Sequence, residues 1–299
     1  MRTLCAFLWQ YEDWLMYFDL YANDSGLGFL CFNFRGVARS EGGVSCLDDM
    51  LLDLRAAYEH LTEGLGVLTP HILFHGFSIG AAVASCFLAQ PDAPRCAITS
   101  DRSFRSFGHA AFAICRGPTA AVGNGSPPTM PISGSGGDFK AALLARLKLV
   151  LLCLLGVARA ALAQIAVLAF RHTGWELDAL AAWPKIHGPK VLVYNTADNI
   201  VSYKGASLHF GLLHASSDGA DAEDGGGAGG AGARGSTREA LARAMDETTV
   251  VEATIRDAQG WALHDCPLSL DHDAWYGMIR AERAALGLGA ANGGKSFNL

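Results

Sequence analysis

One short segment of the chain holds a serine in a setting that could make it a nucleophile. Residues 76–80 read GFSIG, directly after an apolar run at 71–75 and at the start of the small-residue run GAAVASCFLA. Glycines at Gly76 and Gly80 allow a sharp turn from strand to helix, because a Cβ at either position would collide with neighbouring backbone. Such a turn would expose the hydroxyl of Ser78 at the carboxyl end of the strand. The alternative is a serine that only caps the helix.

Two later loops offer the partners that a serine nucleophile needs, a base to take its proton and an acid to orient that base. Asp198 follows the apolar run 190–194 in NTADNIV, and His264 follows the run 248–255 in RDAQGWALHDCP. The carboxyl ends of parallel strands meet at one edge of a sheet. We therefore predict Ser78 as nucleophile, His264 as base and Asp198 as acid. The alternatives are a turn aspartate and a surface histidine.

The chain order of these three residues resembles that of the α/β-hydrolase superfamily. The segment FNFRGVARSEGG is similar to the RGxGxSxG loop of lipase, esterase and thioesterase relatives, with Ala38 where a glycine is usual. The resemblance covers residues 27–106 and 175–286. It implies a serine hydrolase that cleaves an acyl-bearing ester or thioester through an acyl-enzyme, with the backbone N–H of Ile79 donating to the oxyanion.

A second aspartate is the runner-up for the acid. Asp101 begins DRSFRS, which resembles the segment that these relatives place after the strand following the serine turn. We prefer Asp198, because TADNIV has the family's small-x-Asp-x-apolar-apolar form. His75 is expected to pack or bond near the serine turn. We expect no metal and no cofactor, since the chain has no zinc-site spacing and no phosphate-binding motif.

Apolar runs alternate with helix-like stretches, the pattern of a parallel sheet covered by helices. We predict strands at 28–34, 71–75, 96–100, 190–194 and 248–255, a helix from Leu47, another after the serine turn, and a last one over 271–286. The predicted fold class is α/β, a mostly parallel sheet with helices on both faces, within a single domain over 1–299.

The first 26 residues lack the HG or GN pair that usually marks the loop of the second oxyanion donor, and QYEDWLMYFDLY resembles the helix that follows such a loop. We therefore expect that two or three leading strands are missing, that the strand at 28–34 has an unpaired edge, and that the oxyanion hole is half formed. The predicted result is weak activity.

Residues 105–174 are predicted to be an insertion, with a Pro/Gly/Ser-rich loop followed by the apolar stretch 141–170. That stretch has three interpretations: a membrane span, a lid over the site that touches acyl chains or a membrane surface, and a buried helix. Arg159 opposes a span over 149–170, because a central arginine costs about 2.5 to 3.5 kcal/mol. Residues 216–236 are expected to form a disordered Gly/Ala-rich loop.

Composition limits the classes of partner. The chain of 299 residues is 51% hydrophobic and 17% charged, and its net charge of −6 offers no basic field for nucleic acid. Its eight cysteines form no CxxC pair, which favours reduced thiols in an intracellular, cytoplasmic or membrane-associated protein. A small ester or lipid is the expected partner. The second hypothesis is a catalytically weak or silent binding or membrane-associated protein of the same fold.

Overall fold

The fold is known from a computed structural model that describes residues 2–6, 11–116, 158, 161–162, 164–165, 167–170, 172–217, 231–255 and 264–289. The described residues include six strands: β1 (Arg2–Ala6), β2 (Gly28–Phe32), β3 (Ile72–Phe77), β4 (Ala97–Asp101), β5 (Lys190–Asn195) and β6 (Thr248–Ala253). They form one sheet, all parallel, in the order β2-β1-β3-β4-β5-β6.

Helices cover both faces of this sheet, and consecutive residues of β3 divide between them. The helices are α1 (Leu15–Ser25), α2 (Leu47–Glu59), α3 (Ile79–Leu88), α4 (Phe107–Arg116), α5 (Ala179–Ala182), α6 (Tyr203–Ala206), α7 (Leu208–Ser217), α8 (Ala231–Asp246) and α9 (His272–Ala285). Ile72 and Phe74 belong to a core with α2 and α3, whereas Leu73 belongs to a second core with α1 and α9. The predicted α/β class with helices on both faces is confirmed.

All five predicted strands are present with small shifts at their ends, but β1 was missed. Arg2–Ala6 is short and runs without a Gly or Pro into further apolar residues, so no local signal marks it as a strand. It lies between β2 and β3 and pairs with both. Among the described residues, one strand therefore precedes α1, and β2 lies at the edge of the sheet that they form.

The described part of the apolar insertion is helical and contacts α4. Phe170 packs edge to face on Phe107 with ring centroids 4.6 Å apart, and Val167 lies against Gly108. Among the helices that the structure describes, none is long and apolar enough to cross a membrane. Most of 141–170 lies outside the described residues, as does 117–137, so the insertion and its three interpretations stay predictions.

The structure corrects the two ends of the expected disordered loop at 216–236, since α7 continues to Ser217 and α8 begins at Ala231. Between these helices the loop stays a prediction. Residues 218–230 lie outside the described part of the chain.

Candidate active site

The turn between β3 and α3 holds Ser78 in a backbone conformation that is rare for a residue with a side chain. Its φ is 53° and its ψ is −118°. A Cβ on Gly76 would lie 2.4 Å from the backbone of Ala81, so only glycine allows the chain to fold back this tightly. Gly80 is buried in the first turn of α3. The local geometry is the strand-to-helix turn that the GFSIG motif predicted.

His264 lies between Ser78 and Asp198 and contacts both. Its Nε2 is 2.9 Å from Oγ of Ser78, and its Nδ1 is 2.7 Å from Oδ2 of Asp198. A carboxylate only accepts hydrogen bonds, so Nδ1 carries the proton in the second contact. In the neutral imidazole, Nε2 is then the acceptor for the Ser78 hydroxyl. The structure thus brings the three predicted residues, which come from three separate loops, into one hydrogen-bonded chain.

The carboxylate of Asp198 is held by the turn that it begins. Oδ1 accepts the backbone N–H groups of Ile200 at 2.9 Å and Val201 at 2.7 Å. Oδ2 is thereby directed at His264. Asn199 adds a further contact, since its Oδ1 accepts the backbone N–H of His264 at 3.3 Å.

Asp101, the runner-up acid, is engaged elsewhere. Its two carboxylate oxygens accept hydrogen bonds from Nε and Nη2 of Arg102 at 2.8 and 2.9 Å. Both residues are buried. Among the described contacts His264 has Asp198, and not Asp101, as its carboxylate partner.

Sequence reasoning missed Arg102, whose side chain reaches the loop of His264. Its Nη1 donates to the carbonyls of His264 at 2.9 Å and Cys266 at 2.6 Å. The signal available in DRSFRS was a second charged residue directly after a strand, at the carboxyl edge of the sheet.

His75 bonds on the other face of the sheet rather than toward Ser78. Its Nδ1 is 2.8 Å from Oε1 of Glu282 in α9, and Oε2 of Glu282 accepts the hydroxyl of Tyr21 in α1 at 2.7 Å. Burial acts to lower the pKa of His75, whereas the charge and hydrogen bond of Glu282 raise it, and the net direction is upward. This buried network therefore ties β3, just before the serine turn, to both helices of that face.

The N–H of Ile79 is at the first position of α3, where a helix has no internal partner for it. Strand β1 ends beside this turn, since Ala6 pairs with Gly76. The chain leaves β1 there, and the next residues, 7–10, lie outside the described residues. Within the described parts of the chain, no three His, Cys, Asp or Glu side chains are grouped to hold a metal ion.

No protein-family model matches this chain, and no curated protein matches it in sequence. Solved structures do resemble it. An esterase from Pyrococcus furiosus has a TM-score of 0.51 and 13% identity over 93% of this chain and 82% of that one. A monoacylglycerol lipase from Paleococcus ferrophilus has a TM-score of 0.45 and 14% identity over 94% of both chains. The structural likeness shows that the chain has the α/β-hydrolase fold, as its sequence predicted.

Proposed function

We propose that this chain, on its α/β-hydrolase fold, is a serine hydrolase that cleaves a carboxylic ester or thioester. The observation that carries the proposal is the continuous contact from Ser78 through His264 to Asp198, with separations of 2.9 and 2.7 Å. Nucleophile, base and orienting acid in this arrangement are what acyl transfer from an ester requires. The strained φ of Ser78 supports the same conclusion, because such strain collects at functional sites.

In the first half of the reaction, Nε2 of His264 takes the proton from Ser78 as Oγ forms a bond to the substrate carbonyl carbon. The imidazolium is stabilised by Asp198, which stays ionised. The carbonyl oxygen becomes an oxyanion, and the N–H of Ile79 donates to it. The bond to the leaving alcohol or thiol then breaks, and His264 returns the proton to that group.

In the second half, a water molecule replaces the leaving group. His264 takes a proton from the water as the water oxygen bonds to the acyl carbon. The bond between the acyl carbon and Oγ of Ser78 then breaks. The proton returns to Oγ, which frees the acid and restores the resting site. No metal or cofactor takes part in either half of the proposed reaction.

We further propose that the substrate carries an acyl chain. Three apolar side chains of the insertion, Leu162, Ile165 and Leu168, are 62%, 61% and 52% exposed. Apolar side chains exposed along one helical stretch offer a surface for an acyl chain or for the surface of a lipid assembly.

The proposal is tested by measuring hydrolysis of p-nitrophenyl esters with acyl chains from two to sixteen carbons, and of the matching acyl-CoA thioesters. We expect measurable kcat/KM on at least one series and none above background for Ser78→Ala. Ser45→Ala, in an exposed loop serine, is the control and should keep full activity. A correctly folded wild-type chain without activity on either series, and with no difference from Ser78→Ala, would favour the silent binding protein instead.

A further inference from the structure

We infer that Arg102 is a positioning residue for His264, a role that rests on the proposed hydrolase activity. The charge of Arg102 is buried, which is unusual for a guanidinium. The side chain of Arg102 is 1% exposed and directly follows β4, beside a turn whose serine is the proposed nucleophile. Burying a guanidinium is costly unless its N–H groups have hydrogen-bond acceptors. The acceptors that Arg102 contacts therefore indicate which part of the chain it positions.

Those partners lie in the loop that carries the base. Nη1 donates to the carbonyl oxygens of His264 and Cys266, at 2.9 and 2.6 Å. The two carbonyls flank Asp265, so one nitrogen fixes the backbone on both sides of it. Because the ring of His264 is attached to this backbone, the position of Nε2 relative to Ser78 depends on where Arg102 holds the loop.

Arg102 is itself held from three directions. Asp101 accepts two parallel hydrogen bonds from the guanidinium of Arg102. The backbone N–H of Arg102 donates to the carbonyl of Val193 in β5 at 2.8 Å. The guanidinium carbon lies 4.7 Å from the ring centroid of Phe77. Phe77 also contacts the base, since the ring centroids of Phe77 and His264 are 4.9 Å apart.

The residues next to Arg102 hold the nucleophile. The carbonyl of Asp101 accepts the backbone N–H of Ser78 at 2.9 Å, and Oγ of Ser103 donates to the carbonyl of Ser78 at 2.9 Å. Residues 101–103 therefore contact the backbone of Ser78 and the backbone of His264 at once. This three-residue segment sets the separation of 2.9 Å between Oγ and Nε2.

The structure also gives Asp101 a role other than the acid. Its carboxylate balances the charge of Arg102 and orients the guanidinium in a planar, two-bond pair. A lysine has no such fork, so Arg102→Lys would keep the charge and lose the geometry.

The test compares Arg102→Lys with the double variant Asp101→Asn/Arg102→Met, which removes both buried charges and so avoids leaving either one unpaired. We expect both to fold and to keep KM within about threefold of wild type. We expect kcat to fall roughly 10- to 100-fold, the scale of loss that follows a misplacement of about 1 Å. Arg105→Met is the matched control, because Arg105 donates to the carbonyl of Gly205 and not to the loop of His264; it should leave kcat unchanged.

A second readout does not depend on turnover. The proton on Nδ1 of His264, shared with Asp198, should give a low-field proton resonance in the wild type that broadens or disappears in both variants and persists in Arg105→Met. Folded variants with wild-type kcat and an unaltered resonance would overturn the role of Arg102. If the wild type itself fails to hydrolyse any ester, the proposed function fails, but the loss of the resonance in the variants still reports whether Arg102 positions His264.

Discussion

Gly76 and Ala81 are in such close contact across the serine turn that no side chain fits between them. A Cβ built on Gly76 would lie 2.4 Å from both the backbone N and the Cα of Ala81. The obstacle is backbone at the start of α3, which cannot rotate away as the end of a side chain could. The approach of strand to helix that sets Ser78 in place therefore requires glycine at this position.

Gly76→Ala should consequently destabilise the whole chain. Overpacking of this kind costs about 1 to 3 kcal/mol, which at about 2 °C per kcal/mol for a chain of this length corresponds to a fall in Tm of about 2 to 6 °C. Gly43→Ala is the control, because a Cβ there meets nothing within 4 Å. Thermal unfolding of both variants checks the prediction, and equal Tm values would mean that the turn is looser than the structure has it.

Asp198→Asn should lower kcat by roughly 10⁴-fold, because the amide no longer fixes the tautomer of His264 or stabilises the imidazolium. Folding should be preserved, since the amide oxygen can still accept the N–H groups of Ile200 and Val201. Asp92→Asn, in an exposed surface pair with Arg55, serves as the control. Steady-state kinetics with circular dichroism measure both effects.

The same experiment on Asp101→Asn separates the two candidate acids. Its carbonyl still accepts the N–H of Ser78, and the amide oxygen still accepts from Arg102, so we expect a loss of activity well below that of Asp198→Asn. The opposite ranking of the two variants would transfer the role of acid to Asp101.

Much of this arrangement could be predicted from the sequence because the signals are local. The strand before Ser78 is bounded by Pro70 and the glycine turn, and its apolar run continues into a helix of small residues. Asp198 and His264 each follow an apolar strand directly. In a parallel sheet, that position alone places a side chain at the edge where the strands end.

The contacts that were missed are long-range ones. Nothing near Arg102 in the sequence indicates that it reaches a loop more than 160 positions later. His75 likewise finds Glu282 only after α9 packs on the sheet. β1 was missed for a related reason, since its identity as a strand depends on pairing with β2 and β3 rather than on its own five residues.

The buried pair of His75 and Glu282 predicts how stability changes with pH. The pKa of His75 is raised in the folded chain, where Glu282, Asp101, Arg102 and Tyr21 surround it. A raised pKa means that the charged pair contributes its full stabilisation below the unfolded value of about 6.5 and loses it as pH rises through the folded value.

A double variant, His75→Leu with Glu282→Gln, removes both members of the buried pair and keeps an acceptor for Tyr21. The wild-type free energy of unfolding minus that of the variant should be largest near pH 6 and shrink toward pH 9 in urea titrations. His172→Gln, an exposed histidine, should show no such trend. A difference that stays constant over this range would contradict the raised pKa of His75.

The segment between α7 and α8 should tolerate deletion. Replacing 218–230 by a short Gly-Ser linker should change Tm by no more than about 2 °C, because loop closure costs only about 0.6 kcal/mol per doubling of length. Deleting 216–236 also removes the first turns of α8 and should cost clearly more. Differential scanning fluorimetry of the two deletions decides the point, and a fall in Tm well above about 2 °C on deleting 218–230 alone would show that this segment is packed.

The weak activity expected from a half-formed oxyanion hole stays a prediction that a turnover measurement can test. Loss of one donor typically costs about 10² to 10³ in rate, so a site with the N–H of Ile79 as its single donor should turn over a short ester that much more slowly than a site with two donors. Ordinary turnover would mean that a second donor comes from within residues 1–26. Within that range, β1 ends beside the serine turn, since Ala6 pairs with Gly76.

Labelling by a fluorophosphonate tests the central claim most directly, since the reagent reacts only with a serine whose hydroxyl has an activating base. Intact-mass and peptide mass spectrometry should find one adduct, on Ser78, in the wild type and in Ser45→Ala. Labelling should be abolished in Ser78→Ala and strongly slowed in Asp198→Asn. An adduct that survives Ser78→Ala, or a folded wild-type chain that takes up no reagent, would contradict the assignment of Ser78 as an activated nucleophile.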